Sequence, residues 1–210
     1  MIRILIADDH PIVRAGLKQV MADAPDMTVA DEAADGHEVL AKVRQGQFDV
    51  VLLDLSIPGL SGLDVLKQLK SEKPNLRVLI LSVHPEDQYA VRVLRAGAWG
   101  YVTKASAPAQ LIAAIRRVHE GRRYVSAALA ERLAEQLEPG AATMPHESLS
   151  DREYQVLCLL ASGKTATEIA DALALSVKTV STYRSRILEK MGMRSNAELT
   201  HYAIQNRLVD

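Results

Sequence analysis

A chain of 210 residues with 48% hydrophobic residues and a formal net charge of −1 holds enough apolar material for one large domain or two modest ones. No apolar run approaches the length of a membrane span, and the start "MIRILIADDH" lacks the profile of a secretory signal peptide, so a cytoplasmic protein is expected. The single cysteine, Cys158 in "VLCLLA", excludes an internal disulfide and a cysteine metal cage, and is expected as a core residue.

Over roughly the first 120 residues, short apolar runs alternate with longer segments of helical period. In chain order the strands are "RILIA", "MTVADEA", "DVVLLD", "RVLILS" and "GYVTK". The helices between and after them are "PIVRAGLKQVMADA", "GHEVLAKVRQG", "GLDVLKQLKSE", "PEDQYAVRVLRAG" and "PAQLIAAIRRVHEG". Strict alternation of the two predicts an α/β domain: a doubly wound, five-stranded parallel sheet with right-handed crossovers and helices on both faces. The runs "ILIA", "VVLL" and "VLIL" carry no polar alternation, as strands buried on both sides require. One more helix, "SAALAERLAEQL", leads into a Pro- and Gly-bearing linker from Glu138 to Ser148. Beyond it the strand pattern stops. Capping boxes at Ser150/Glu153, Thr165/Glu168 and Ser195/Glu198, and a further helix from Ser176 to about Met191, predict a small all-α domain of four helices. The boundaries read as 1–121, 122–148 for the helix and linker, and 149–210.

Asp54 ends the apolar strand "VVLLD", where an unpaired carboxylate is costly. Ligands of open parallel sheets bind at the carboxyl ends of the strands, and those ends here deliver Asp8, Asp9, Asp54, Ser82 and Lys104. Close carboxylates repel one another unless a cation sits among them, and an all-oxygen set suits a hard divalent ion such as Mg²⁺ better than zinc. With Lys104 as a second positive charge, such a site stabilises a transferred phosphoryl group, and Asp54 is the expected nucleophile. His10 is read as a helix-start residue in preference to a ligand.

At these residues the chain resembles the receiver domains of two-component response regulators, which have the flavodoxin-like fold. The motifs are "DDHP", "DLSIPGLSG" with Pro58 and Gly62 four and eight residues after Asp54, then "LS", then Lys104. The resemblance implies that Asp8 and Asp9 hold Mg²⁺ with Asp54 and the Ser56 backbone. It implies that Asp54 accepts the phosphoryl group from a sensor histidine kinase, and that Ser82 and Tyr101 form the switch pair. Ser82 would turn to the phosphoryl group and Tyr101 would rotate inward, as about −1.5 to −2 added charges bias a two-state element. In that family the lifetime of the phosphorylated state depends on side chains beside the site, here Ser56 and His84. Ala105 replaces a proline common after the lysine, and a cis bond there would cost ~2.5–4 kcal/mol.

The second domain contains "TATEIADALALSVKTVSTYRSRILEKMG", two helices joined by a short turn, which reads as a helix-turn-helix. On a wheel, Val177, Val180, Tyr183, Ile187, Leu188 and Met191 share one flank, opposite Lys178, Thr182, Ser185, Arg186 and Glu189, with Ser181 at the edge. From Ser176 to Arg194 there are five cations and one anion, a local charge of +4 in a near-neutral chain. Lys178, Ser181, Thr182, Ser185, Arg186 and Lys190 are therefore the expected contacts to double-stranded promoter DNA. Arg184 falls on the buried side, where it is expected to pair with Glu153 or Glu168.

This stretch resembles the LuxR-type DNA-binding domain, and both domains together resemble the NarL/FixJ class, most of all its GacA/UvrY and BvgA/EvgA branches. The resemblance implies a transcription regulator whose last helix, Ser195 to Asn206, forms a dimer contact, with phosphorylation promoting the homodimer. Three rival readings stand beside it: a protein-interaction module, a receiver that has become independent of phosphorylation, and a carboxylate-nucleophile phosphatase or phosphotransferase enzyme. The enzyme wants a general acid/base two residues after Asp54, and that position is Ser56, so at most slow self-dephosphorylation is expected.

Overall fold

The computed structural model describes residues 1–83, 86–135, 144–173, 175–206 and 208–209. Residues 138–143 of the expected linker, and His84, lie outside this set. The chain divides into two compact units, Met1–Leu133 and Ala134–Asp210.

The first unit is built on β1 (Ile2–Ala7), β2 (Met27–Ala33), β3 (Val50–Leu53), β4 (Arg77–Ser82) and β5 (Gly100–Thr103). All neighbouring strands run parallel, in the order β2-β1-β3-β4-β5. Helices α1 (Pro11–Ala22), α2 (Gly36–Gln45), α3 (Gly62–Glu72), α4 (Glu86–Arg95) and α5 (Pro108–His119) make the crossovers. The central strands β1, β3 and β4 contribute Ile4, Leu5, Ile6, Val50, Leu52, Leu79 and Ile80 to the core, each at most 1% exposed. That is why their sequences show no polar alternation. Edge strand β2 keeps Asp31 and Glu32 half-buried. Asp31 accepts from Lys42 at 2.7 Å, while Glu32 accepts from Lys18 at 2.6 Å and Arg14 at 3.0 Å. Charge along an unpaired edge discourages pairing with another chain.

The first unit continues past α5. Tyr124 bridges Gly100 as a minimal sixth strand, accepting from the Tyr101 amide at 3.3 Å and donating to the Trp99 carbonyl at 2.9 Å. α6 (Ala127–Glu135) starts on a Ser126 side-chain cap, the Ser126 amide donates to Glu86 of α4 at 3.3 Å, and Leu129 is buried.

The second unit contains α7 (Asp151–Ala161), α8 (Ala166–Leu173), α9 (Val177–Met191) and α10 (Asn196–Gln205) around Tyr154, Leu157, Ile169, Val180, Ile187 and Leu199. The boxes at Ser150/Glu153 and Thr165/Glu168 are reciprocal. At α10, Ser195 accepts from the Glu198 amide at 3.2 Å, but Glu198 reaches one residue further back than expected, to the Arg194 amide at 3.0 Å. Pro145–Ser148, expected as linker, is a 3₁₀ turn, and His146 within it meets the Tyr202 hydroxyl of α10 at 2.8 Å. No described helix is long and apolar enough to cross a membrane. No peptide bond among the described residues is cis, so Lys104–Ala105 is trans.

Candidate functional site

Strand order reverses between β1 and β3, and Ala7 pairs with Leu53 at their ends. The ladder runs one step further, with the Asp54 amide donating to the Ala7 carbonyl at 2.9 Å and the Asp8 amide to Ala33 at 3.1 Å. Asp8 and Asp54 thus leave the sheet side by side, each 1% exposed. From β5, the Lys104 amide donates to the Ser82 carbonyl at 2.7 Å, which aims its side chain back across the strand ends. Lys104 Nζ donates to Asp54 Oδ2 at 2.7 Å and lies 2.6 Å from Asp8 Oδ2. Burial alone would lower the pKa of this lysine, but its bonds to Asp54 and Asp8 outweigh that and raise it.

The loop after β3 is seated by glycine. A Cβ at Gly62 would lie 2.3 Å from the Asp54 carbonyl oxygen and 2.6 Å from Leu55 Cα, so only a bare backbone fits under the Asp54 loop. On its far side the Gly36 amide donates to the Pro58 carbonyl at 3.1 Å. Within the loop, the Ser56 amide donates to Asp54 Oδ1 at 3.1 Å. The spacing of Gly62 after Asp54 therefore has a steric cause.

Asp8, Asp9, His10 and Asp54 each bring one ligand atom within 4.8 Å of the others. Asp8 Oδ2 and Asp9 Oδ1 are buried, each with one cationic or imidazole neighbour, the Lys104 ammonium at 2.6 Å and the His10 ring at 2.7 Å. Buried carboxylate oxygens with spare lone pairs fit a hard divalent cation, and the oxygen-rich set matches Mg²⁺ chemistry. His10 is the N-terminal flanking residue of α1, as expected, and makes no side-chain cap. Its ring also touches the cluster, with Nδ1 2.7 Å from Asp9 Oδ1, which the sequence reading did not foresee. Also unforeseen is Arg14, whose Nη1 donates to the Asp8 carbonyl at 2.7 Å and holds that loop. On a helical wheel Arg14 is one more half-exposed cation, so no sequence signal marks it.

Ser82 and Tyr101 are 0% and 2% exposed.

The second set of residues lies on α9. The Ser176 side chain caps its start, accepting from the Thr179 amide at 3.0 Å, and Gly192 in the left-handed conformation (φ 65°) closes it. Val180, Ile187 and Met191 are buried, while Lys178, Ser181, Thr182, Ser185, Arg186 and Glu189 are exposed on the other side. Arg184 and Val177 depart from expectation. Arg184 donates through Nε to Asn196 Oδ1 at 2.6 Å, a neutral amide on α10, and not to a carboxylate. Both expected carboxylates are engaged elsewhere: Glu168 by the Thr165 cap, and Glu153 by Ser150 and by Lys190 Nζ at 2.7 Å. Lys190, an expected DNA contact, is exposed and also donates to this buried partner of its own domain. Burial would raise the Glu153 pKa, but the Lys190 and Ser150 hydrogen bonds more than reverse this and keep it below the usual range. Val177, placed on the apolar flank by the wheel, is 45% exposed.

A doubly wound sheet with acidic strand ends and a lysine, followed by a helix-turn-helix domain, defines a signal-receiving regulator class. Residues 4–116 match the response regulator receiver domain, and residues 147–203 match the bacterial regulatory proteins of the luxR family. Response regulator UvrY of Escherichia coli (strain K12) is 37% identical over 209 residues, covering 99% of this chain and 96% of its own. Response regulator GacA of Pseudomonas viridiflava is 39% identical over 211 residues, covering 100% of this chain and 99% of its own. Among solved structures, RcsB from Salmonella enterica serovar Typhimurium, bound to promoter rprA with the phosphomimetic BeF₃⁻, is similar at a TM-score of 0.67. It is 29% identical, covering 96% of this chain and 98% of that one. The chain belongs to the response-regulator family, and pairs a receiver domain with a LuxR-type DNA-binding domain for transcription regulation.

Proposed function

We propose that Asp54 is the phosphoacceptor of this regulator, charged by a sensor histidine kinase, and that its phosphorylation drives homodimerisation and binding to promoter DNA. The observation that carries this reading is the convergence of Asp8, Asp9, Asp54 and the Lys104 ammonium at one end of the sheet. In the transfer, the N–P bond on the kinase histidine breaks and an O–P bond forms to a carboxylate oxygen of Asp54. Lys104, bonded to Asp54 Oδ2, supplies a fixed positive charge where negative charge gathers. Asp8, Asp9 and Asp54, with the Ser56 backbone, would hold Mg²⁺, which neutralises phosphoryl oxygens when bound. Ser82 and Tyr101 act as the switch pair, coupling the strand ends to the Tyr124 bridge through the Tyr101 amide.

The residue two positions after Asp54 is Ser56, which offers no carboxylate to deprotonate an attacking water, so self-dephosphorylation is slow and the protein is not a turnover enzyme. Its place is the cytoplasm, where kinase and promoter meet. The functional divisions are residues 1–121 as receiver, 122–148 as connecting helix and linker, and 149–210 as the DNA-binding domain. Lys178 and Arg186 contact phosphates, Ser181, Thr182 and Ser185 face base edges, and Lys190 orients α9 through Glu153. α10 provides the dimer contact on DNA.

Acetyl phosphate with Mg²⁺ should convert the wild-type protein to a dimer in sedimentation velocity, and EDTA should prevent it. Asp54→Asn should stay monomeric under both conditions. Equal dimerisation of wild type and variant would overturn the assignment.

A further inference from the structure

α9 turns one apolar side chain to solvent, and does so at its leading end. Val177 is the first residue of the helix and is 45% exposed, while Val180 and Ile187 on the same wheel flank are 1% and 0% exposed. Val177 has no capping duty, because Ser176 and Thr179 make the cap between themselves, their hydroxyls 2.8 Å apart. Steps of four residues carry it into the row Val177, Ser181, Ser185, all three exposed.

A lone exposed valine is ordinary on a protein surface. Its position on this helix is what carries meaning. The N-terminal residues of a recognition helix contact base edges, and side chains lean toward the N-terminus of their helix. The neighbouring groups are already committed to polar readout. Thr182 Oγ1 donates to the Lys178 carbonyl at 3.0 Å, and Ser185 Oγ to the Ser181 carbonyl at 3.1 Å. With their protons turned to the backbone, these hydroxyls present lone pairs, which suit base-edge donors such as the amino groups of adenine and cytosine. An isopropyl group has no use for such edges. The apolar feature of the major groove is the thymine C5-methyl.

We propose that Val177 packs on the C5-methyl of one thymine in each half-site and is a determinant of sequence specificity. This rests on the reading of α9 as the DNA-reading helix. Removing one buried methyl contact corresponds to about a fourfold loss of affinity per half-site.

The test uses full-length protein phosphorylated with acetyl phosphate and duplexes that the wild type selects from a random pool. Each thymine of the selected site is replaced in turn by deoxyuridine, which removes the methyl alone, and affinity is read by fluorescence anisotropy. For the wild type, one thymine per half-site should be sensitive, at about fourfold. Val177→Ala should bind the unmodified duplex about fourfold more weakly per half-site and should be indifferent to deoxyuridine at that position. Its thermal melt should match the wild type, as befits an exposed side chain. The proposal falls if no single thymine methyl matters to the wild type, if Val177→Ala binds as the wild type does, or if the two losses simply add. If the wild type selects no duplex at all, the DNA-reading assignment itself falls, an outcome distinct from the other three.

Discussion

Lys190 and Lys178 are both exposed lysines on α9, yet their surroundings assign them different work. Lys190 donates to Glu153, whose side chain is 4% exposed, whereas no ion pair involves Lys178 among the described residues. Removing Lys190 leaves a buried carboxylate short of a donor, so Lys190→Ala should cost the helical domain about 1–2 kcal/mol. The same change should leave the salt dependence of DNA binding unaltered. Lys178→Ala should do the reverse, reducing the slope of log K against log salt by about 1 with little change in stability. Because the Glu153 pKa is lower folded than unfolded, its contribution is present above the ordinary carboxylate range. It is lost as pH falls through the lowered value. Hydrogen exchange of α7 and α9 amides should show protection fading on acidification, and Glu153→Gln should remove that part of the pH dependence. The sequence could not reveal this pair. Wheel angles place a side chain on a face, but Glu153 lies 37 positions away and its approach to Lys190 depends on how α7 crosses α9.

At the scale of elements, strand ends and glycine contacts make the proposed phosphoryl site. The strands were legible because a chain buried on both faces must be apolar throughout, and each strand's last residue then carries the chemistry. The reason for Gly62 was not legible. Its spacing after Asp54 marks it, but the cause is the approach of its backbone to the Asp54 carbonyl across the loop. Gly62→Ala should therefore push that loop away, destabilising the receiver by about 1–3 kcal/mol in urea titration. It should also slow labelling of Asp54 by acetyl phosphate more than the stability loss explains. Normal labelling kinetics in the folded variant would show that the loop tolerates the displacement. His10 and Arg14 belong to the same scale. The turn from β1 into α1 brings one ring onto Asp9 and one guanidinium onto the Asp8 carbonyl, although neither residue type signals such a role.

For the molecule as a whole, the proposed homodimer would bring two weak readers to one duplex, with the second half-site then met at high local concentration. The local charge of +4 on the α9 segment is contributed twice by a dimer. The slope of log K against log salt should accordingly be about twice as steep for the phosphorylated protein as for the unphosphorylated one on the same promoter duplex. Equal slopes would mean that phosphorylation acts without doubling the phosphate contacts. The overall charge of −1 gives no hint of this, since it averages an acidic receiver site with a basic helix.

The sequence by itself determined the α/β and all-α halves, the order of their elements and the identity of the acidic cluster. These follow from periodicity and from which residue ends each strand, both of them local properties of the chain. Only the tertiary structure decided that Lys104 reaches Asp8 as well as Asp54, that Lys190 belongs to Glu153, that Arg184 belongs to Asn196, and that Val177 faces water. Those outcomes turn on distances of a few ångströms between segments far apart in sequence, which packing settles and a helical or strand period does not encode.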